Sequence, residues 1–324
     1  MTNKLPCLTY QGSKRTIARS IVDKMHSMFP EKKVFVDLFG GGGAITSAAL
    51  EYKQDTLFEC FKFDKVIYNE INKLVYTLYS AFIRGEIDPA DVNMYVTRKM
   101  FYEIKEDESY NTLEKAIILF VWSFCGNMNV YIRNDSCETD EYLREIEYRI
   151  ETHRSSLIKK HTIDTYKLDT FNKDYRCIPI PNNAIVYCDI PYSGTSDYGD
   201  VGDSKKITRF SHNSDKDSQI CINISEQLDC KVGCRDKHAF TNCEHKGRHY
   251  DKVFVFDYDK FYEWALGQDC PVFVSEYNMP DKFECVGEWQ RATFGNGTIS
   301  AENAPIEKLY WNGKGLGVVE RVGS

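Results

Sequence analysis

A carboxylate, a rigid proline and an aromatic ring follow one another at Asp189, Pro191 and Tyr192, delivered by the short apolar run Ile185-Val186-Tyr187-Cys188, which reads as a buried strand. An acid at the carboxyl end of a parallel strand lies where open α/β sheets bind ligands, and Pro191 locks the backbone so that the Ile190 carbonyl can be aimed. The two acceptors suit an exocyclic amine: they can hold its two N–H donors while its lone pair turns toward an electrophile, and Tyr192 can stack on the attached base. Asp and Pro are also ordinary turn residues, so a strand ending in a turn would look the same in isolation.

A second stretch supplies what the first lacks. Val34 to Phe39 reads as a strand running into Gly40-Gly41-Gly42-Gly43, and Ala44 to Leu50 reads as the start of a helix. Strand, glycine turn and helix make a cofactor-binding corner in which bare main chain can press against a ligand. No Gly-Lys-Ser/Thr follows, which argues against a P-loop, and the spacing fails Gly-x-Gly-x-x-Gly, so a dinucleotide is not favoured over S-adenosylmethionine.

On these motifs the chain resembles the Dam-type (D12 class) DNA adenine-N6 methyltransferases: Tyr10-Gln11-Gly12-Ser13-Lys14 matches their opening motif, Phe39 to Gly43 their cofactor motif and Val186 to Tyr192 their catalytic motif. Ile190 stands where the family usually has proline, at a position that contributes a carbonyl. The resemblance implies a doubly wound, mostly parallel α/β sheet binding S-adenosylmethionine, with an inserted helical target-recognition subdomain. It implies a cofactor pocket of Tyr10, Lys14, Asp37, Phe39, Gly40, Gly41, Gly42, Glu70, Asp169, Phe171 and Asp189, Glu70 accepting from ribose hydroxyls while Asp169 and Phe171 bracket the adenine. Asp189, Ile190, Pro191 and Tyr192 would carry catalysis on a flipped adenine, and Phe124, Asn127, Asn129, Tyr131 and Arg133 would read or wedge into DNA. The expected partner is double-stranded DNA, with a cognate restriction endonuclease as a further candidate and the chain itself a monomer. An Asp-x-Pro-Tyr pocket also suits cytosine N4, and a DNA-binding protein without catalysis is the reading from another class.

These residues need elements to carry them. At 324 residues and 42% hydrophobic content the chain can bury a large core. Helical spacing of Ile17, Ile21, Met25 and Met28 predicts an amphipathic helix over 13–29, and Phe61 to Tyr68 predicts a strand leading to Glu70. The pattern is helical throughout 73–160, which interrupts the alternation of strand and helix. Strands are expected to resume near Asp164 to Phe171, Val253 to Asp257 and Pro271 to Asn278, with a helix over Asp259 to Leu266 and Glu307 to Asn312 as an antiparallel edge strand. The resulting organisation is a catalytic domain in three parts, 1–72, 161–201 and 251–324, with the recognition insertion at 73–160 and a polar Cys/His-bearing insertion at 202–250. Cys230, Cys234, Cys243 and His249 form one candidate zinc set, although no Cys-x-x-Cys knuckle is present.

A net charge of -7 argues against indiscriminate coating of nucleic acid but leaves room for a local basic face, for which Lys14, Arg15, Arg19 and Lys24, or Lys205, Lys206 and Arg209, are candidates. Twelve scattered cysteines with no recognisable export signal are expected to be free thiols in a reducing compartment. With no apolar stretch of membrane-spanning length, a cytoplasmic protein is the expectation.

Overall fold

The computed structural model describes residues 5–9, 13–55, 60–133, 139–159, 164–191, 240–245, 248–253, 256–290 and 306–315. The chain divides into two compact units, Met1–Ile190 together with Gln268–Ser324, and Pro191–Gly267.

The first unit is built on a seven-stranded sheet. Its strands are β1 (Val34–Asp37), β4 (Lys65–Asn69), β5 (Leu168–Phe171), β6 (Ala184–Cys188), β9 (Val272–Glu276), β10 (Glu284–Gln290) and β11 (Ile306–Trp311), in the order β10-β11-β9-β6-β1-β4-β5. The five from β9 to β5 run parallel, β11 is antiparallel to β9, and β10 is antiparallel to β11. The fold is thus mixed α/β on a mostly parallel sheet. One expectation is corrected here: β11 is antiparallel but not an edge, because β10 pairs along its outer side. β10 gave no apolar run to find. Its sequence, Glu-Cys-Val-Gly-Glu-Trp-Gln, is the half-exposed pattern of an edge strand kept polar.

Side-chain alternation decides what covers the sheet. Phe35, Val66, Tyr68, Ile185, Tyr187, Phe273, Leu309 and Trp311 share one core with α1 (Ala18–Met28), α2 (Ala44–Glu51), α3 (Lys73–Arg84), α4 (Arg98–Glu106), α5 (Thr112–Val121) and α6 (Asp140–Leu157). The apolar face of the helical stretch is therefore continuous with the core of the sheet. The intervening strand residues, Val36, Ile67, Val186, Val272 and Val274 among them, are buried as well, which is why these strands read as unbroken apolar runs.

Local sequence sets the ends of the elements. Asn72 accepts from the Leu74 and Val75 amides to start α3, and Gly85 closes it with a φ of 70° that only glycine adopts at no cost. The strand expected from Phe61 begins only at Lys65. Phe61 instead belongs to a short hairpin of β2 (Gln54–Asp55) and β3 (Cys60–Phe61), and its ring packs with His26, Tyr52 and Phe63.

In the second unit, β7 (Phe240–His245) and β8 (Arg248–Val253) form an antiparallel pair, and α7 (Tyr258–Leu266) is capped by the Asp257 side chain at the Lys260 amide. Of the strand expected over Val253 to Asp257, Val253 belongs to β8 and pairs with Phe240 in this hairpin, Phe256 and Asp257 lie in no strand, and Phe254 and Val255 fall outside the described residues. Among the described residues no helix is long and apolar enough to cross a membrane.

Candidate active site

β1 and β6 are neighbours, with Asp37 opposite Tyr187, and the pairing continues as the Leu38 amide donates to the Tyr187 carbonyl at 3.0 Å. The chain leaving β1 into the glycine corner and the chain leaving β6 into Asp189 and Ile190 therefore emerge side by side at the carboxyl edge of the sheet. β4 flanks β1 on its other side and delivers Glu70 to the same edge.

Tyrosines set the shape of the corner. A side chain at Gly40 would put its first carbon 2.2 Å from the Tyr68 ring, and one at Gly43 would meet Tyr79 at 1.9 Å. The two rings lie against each other, with centroids 4.5 Å apart. Gly41 and Gly43 both have positive φ, 48° and 76°. The Tyr68 hydroxyl donates to the Gly41 carbonyl at 2.8 Å, and the Gly41 amide donates to Glu70 Oε2 at 2.8 Å. A strap of residues 5–9 holds the corner from outside: the Leu8 amide donates to the Gly42 carbonyl at 2.9 Å, and Ser47 Oγ donates to the Pro6 carbonyl.

Three carboxylates converge here. Asp37 is 1% exposed, and its Oδ2 accepts from the Thr46 amide at 3.1 Å and the Thr46 hydroxyl at 2.7 Å. Its Oδ1 is buried with no hydrogen-bond partner among the described residues. Burial raises the Asp37 carboxyl to about 7; the Thr46 hydroxyl opposes the rise, and the charges of Asp189 and Glu70 add to it. Glu70 also accepts from the Asn72 amide at 2.7 Å, and desolvation lifts its pKa in spite of its backbone donors. Asp189, 24% exposed, takes the Lys14 ammonium on both oxygens, at 2.8 and 2.9 Å.

Lys14 is 2% exposed, and its Nζ also lies 3.7 Å from Glu307, which is fully buried. Sequence reasoning missed Glu307, although a sign of it was present. It alternates with Leu309 and Trp311, so a strand reading puts an acid among inward residues, where a charge needs a partner. Tyr187 was read only as part of an apolar run. Its hydroxyl donates to Ser275 Oγ at 2.8 Å in the interior.

Not every expected residue reaches this edge. Phe171 ends β5 opposite Asn69, and its carbonyl accepts from the Glu70 amide at 3.1 Å, so it borders the corner. Asp169 lies two residues back and pairs with Lys65, both half-exposed, a contact of small energetic weight. The Phe39 ring sits 5.4 Å from Tyr175, an aromatic neighbour that the sequence did not single out. Ile190 is buried. Pro191, in the second unit, accepts at its carbonyl from the Tyr258 hydroxyl at 2.7 Å. Tyr10 and Tyr192 lie outside the described residues.

The residues expected at DNA form a hairpin loop closed by the Ser123–Tyr131 bridge. Asn127 Oδ1 accepts from the Asn129 amide at 2.9 Å and the Val130 amide at 3.1 Å, and the Met128 amide donates to Ser123 Oγ at 2.8 Å. Cys125 and Met128, with φ of 53° and 59°, are the two non-glycine residues with positive φ among the described residues, and Gly126 between them is also left-handed. A side chain at Gly126 would press on the Thr9 carbonyl at 2.5 Å, so the loop sits against the strap. Phe124, 40% exposed, and Val130 lie just inside the bridge, the Phe124 amide donating to the Val130 carbonyl at 2.8 Å, while Asn129 and Arg133 are partly exposed. Tyr131 is different. It is buried, parallel to Trp122, and its hydroxyl donates to the Val96 carbonyl at 2.8 Å, which makes it a core residue under the loop and not a group available to a base.

Of the candidate zinc set, Cys230 and Cys234 lie outside the described residues, whereas Cys243 and His249 occupy β7 and β8, with Cys243 opposite Tyr250 and Glu244 opposite His249. Among the described residues no three His, Cys, Asp or Glu side chains are arranged so that they could hold a metal ion.

A family model described as D12 class N6 adenine-specific DNA methyltransferase matches residues 10–261. Comparison with the curated proteins finds no match.

Proposed function

The chain belongs to the D12 class N6 adenine-specific DNA methyltransferases, and from that premise we propose that it transfers the methyl group of S-adenosylmethionine to the N6 amine of an adenine flipped out of a specific site in double-stranded DNA. What supports this is the pairing of β1 with β6, which sets the glycine corner beside Asp189 at one edge of the sheet. The buried lone oxygen of Asp37 and the carboxylates of Glu70 and Asp189 fit a cationic donor, whose attraction lies in a region poor in water. Bound there, S-adenosylmethionine supplies a methyl group made electrophilic by its positive sulfur.

The chain's own residues divide the remaining work. Glu70, fixed by the Gly41 and Asn72 amides, keeps lone pairs for ribose hydroxyls, and the main chain at Gly41 is held in place for a ligand by Tyr68. Phe39, with Tyr175 behind it, and Phe171 wall the pocket for the adenine of the cofactor. Asp189 and the Ile190 carbonyl accept the two amine protons of the target base, so that the lone pair on N6 points at the methyl carbon, and Asp189 offsets the positive charge that grows on the nitrogen. Tyr192 stacks on the flipped base. Lys14 donates to both carboxylate oxygens at rest, so it competes with the amine for Asp189, and its hold loosens as the base binds. Residues 73–160 act as the recognition part, with the exposed Phe124 and Val130 and the partly exposed Asn129 and Arg133 presented to DNA.

Expression in a host lacking DNA methylation, followed by mapping of modified bases across the genome, tests the proposal. The wild-type chain should leave N6-methyladenine at one short motif, and Asp189→Asn should leave none. Unmodified DNA from folded, well-expressed wild-type protein would overturn it.

A further inference from the structure

Lys14 stands between two carboxylates at unequal distances, and we infer that Glu307 is a second seat for its ammonium: the group rests on Asp189 and moves to Glu307 when Asp189 turns to the target amine. The inference rests on the methyl-transfer reading for its purpose but not for its geometry. In the resting chain both Asp189 oxygens accept from Lys14 Nζ, at 2.8 and 2.9 Å, so whichever of them the target amine engages beside the Ile190 carbonyl already holds the ammonium.

Loosening a buried ammonium from a carboxylate is costly, since Lys14 is 2% exposed, and a second carboxylate within reach lowers that cost. Glu307 is placed to do this. Its carboxylate is fully buried 3.7 Å from the same nitrogen, so a shift of under 1 Å brings the pair to hydrogen-bonding distance. A lysine stem, with its rotatable bonds, can make such a shift without moving the backbone.

The placement of Glu307 points the same way. It precedes Leu309 and Trp311 on the inward face of β11, and a carboxylate buried at such a position is stabilised by a cation such as the Lys14 ammonium. It also lies beyond residues 10–261, the span matched by the family model. No bond is made or broken in the exchange and no proton is moved. The ammonium passes from one carboxylate to the other, which leaves Asp189 with its full negative charge as the amine nitrogen becomes positive. Glu307 is therefore a positioning residue that acts through Lys14.

Urea unfolding of wild type, Asp189→Asn, Glu307→Gln and the double variant tests this without any cofactor. In Asp189→Asn the ammonium should settle on Glu307, so Glu307→Gln should raise the unfolding constant about tenfold more in that background than in wild type. A double variant that fails to fold while both singles fold is the extreme of the same result. Equal effects of Glu307→Gln in both backgrounds would overturn the inference; if Glu307→Gln alone does not fold, Glu307→Asp takes its place in the cycle. Kinetics give a second check on DNA from the methylation-free host. Glu307→Gln should lower kcat roughly tenfold at unchanged KM for S-adenosylmethionine, with Glu307→Asp recovering part of the loss, and an unchanged kcat would again overturn it. If the wild type transfers no methyl group, the proposed function fails while the unfolding cycle still decides where Lys14 sits.

Discussion

Asp37→Asn should stabilise the ligand-free protein at neutral pH, by an amount that shrinks as the pH falls. The folded carboxyl titrates at about 7 against an ordinary 3.8, because burial and the charges of Asp189 and Glu70 outweigh the two bonds from Thr46. Below both values the folded and unfolded chains each hold the proton, and the group is neutral to stability. As the pH rises above 3.8 the unfolded chain releases its proton first, so folding loses about 1.4 kcal/mol per pH unit until the folded carboxyl ionises in turn. The full penalty is about 4 kcal/mol, of which roughly 3 kcal/mol falls between about pH 5 and pH 7. Asparagine keeps an acceptor for both Thr46 donors and carries no proton to lose. Urea unfolding of the two proteins at intervals from about pH 5 to pH 8 should show their stabilities diverging in favour of the variant, then running parallel above about pH 7. A difference that stays level across that range would refute the claim that Asp37 is a strained, proton-holding carboxylate.

Two further outcomes follow from the corner and the loop. Gly40→Ala should displace the Tyr68 ring, free the Gly41 carbonyl and weaken S-adenosylmethionine binding by about tenfold or more, measured by titration calorimetry; an unchanged affinity would mean that the corner does not carry the cofactor. Phe124→Ala should change stability by under about 0.5 kcal/mol while lowering DNA affinity, whereas Tyr131→Ala should cost about 3 kcal/mol or more in unfolding because it removes a buried ring. The opposite order in the unfolding experiment would reverse the roles given to these two aromatics.

Much of the site was legible because its chemistry is local in sequence. A strand entering glycines and a strand entering Asp-Ile-Pro-Tyr each announce themselves within ten residues, and the parallel sheet follows from apolar runs buried on both faces. What escaped was non-local or contrary to pattern. Glu307 matters because a strand more than a hundred residues beyond Asp189 returns to Lys14, and no spacing rule reports that. Gly40 and Gly43 were legible as bare main chain, but the reason for their bareness is the two tyrosine rings packed on them. Tyr131 carries the residue type of a DNA wedge, and only its burial beside Trp122 assigns it to the core. β10 escaped because edge strands are kept polar, which erases the alternation by which they could be found.

The strap of residues 5–9 touches the glycine corner at Gly42 and, at Thr9, the hairpin loop at Gly126. In the function proposed above, target reading and donor binding would thus share a brace only a few residues long. Trimming the amino terminus back to Ser13 would loosen both together, and the two defects would surface as a single phenotype that no kinetic assay of one step alone could untangle.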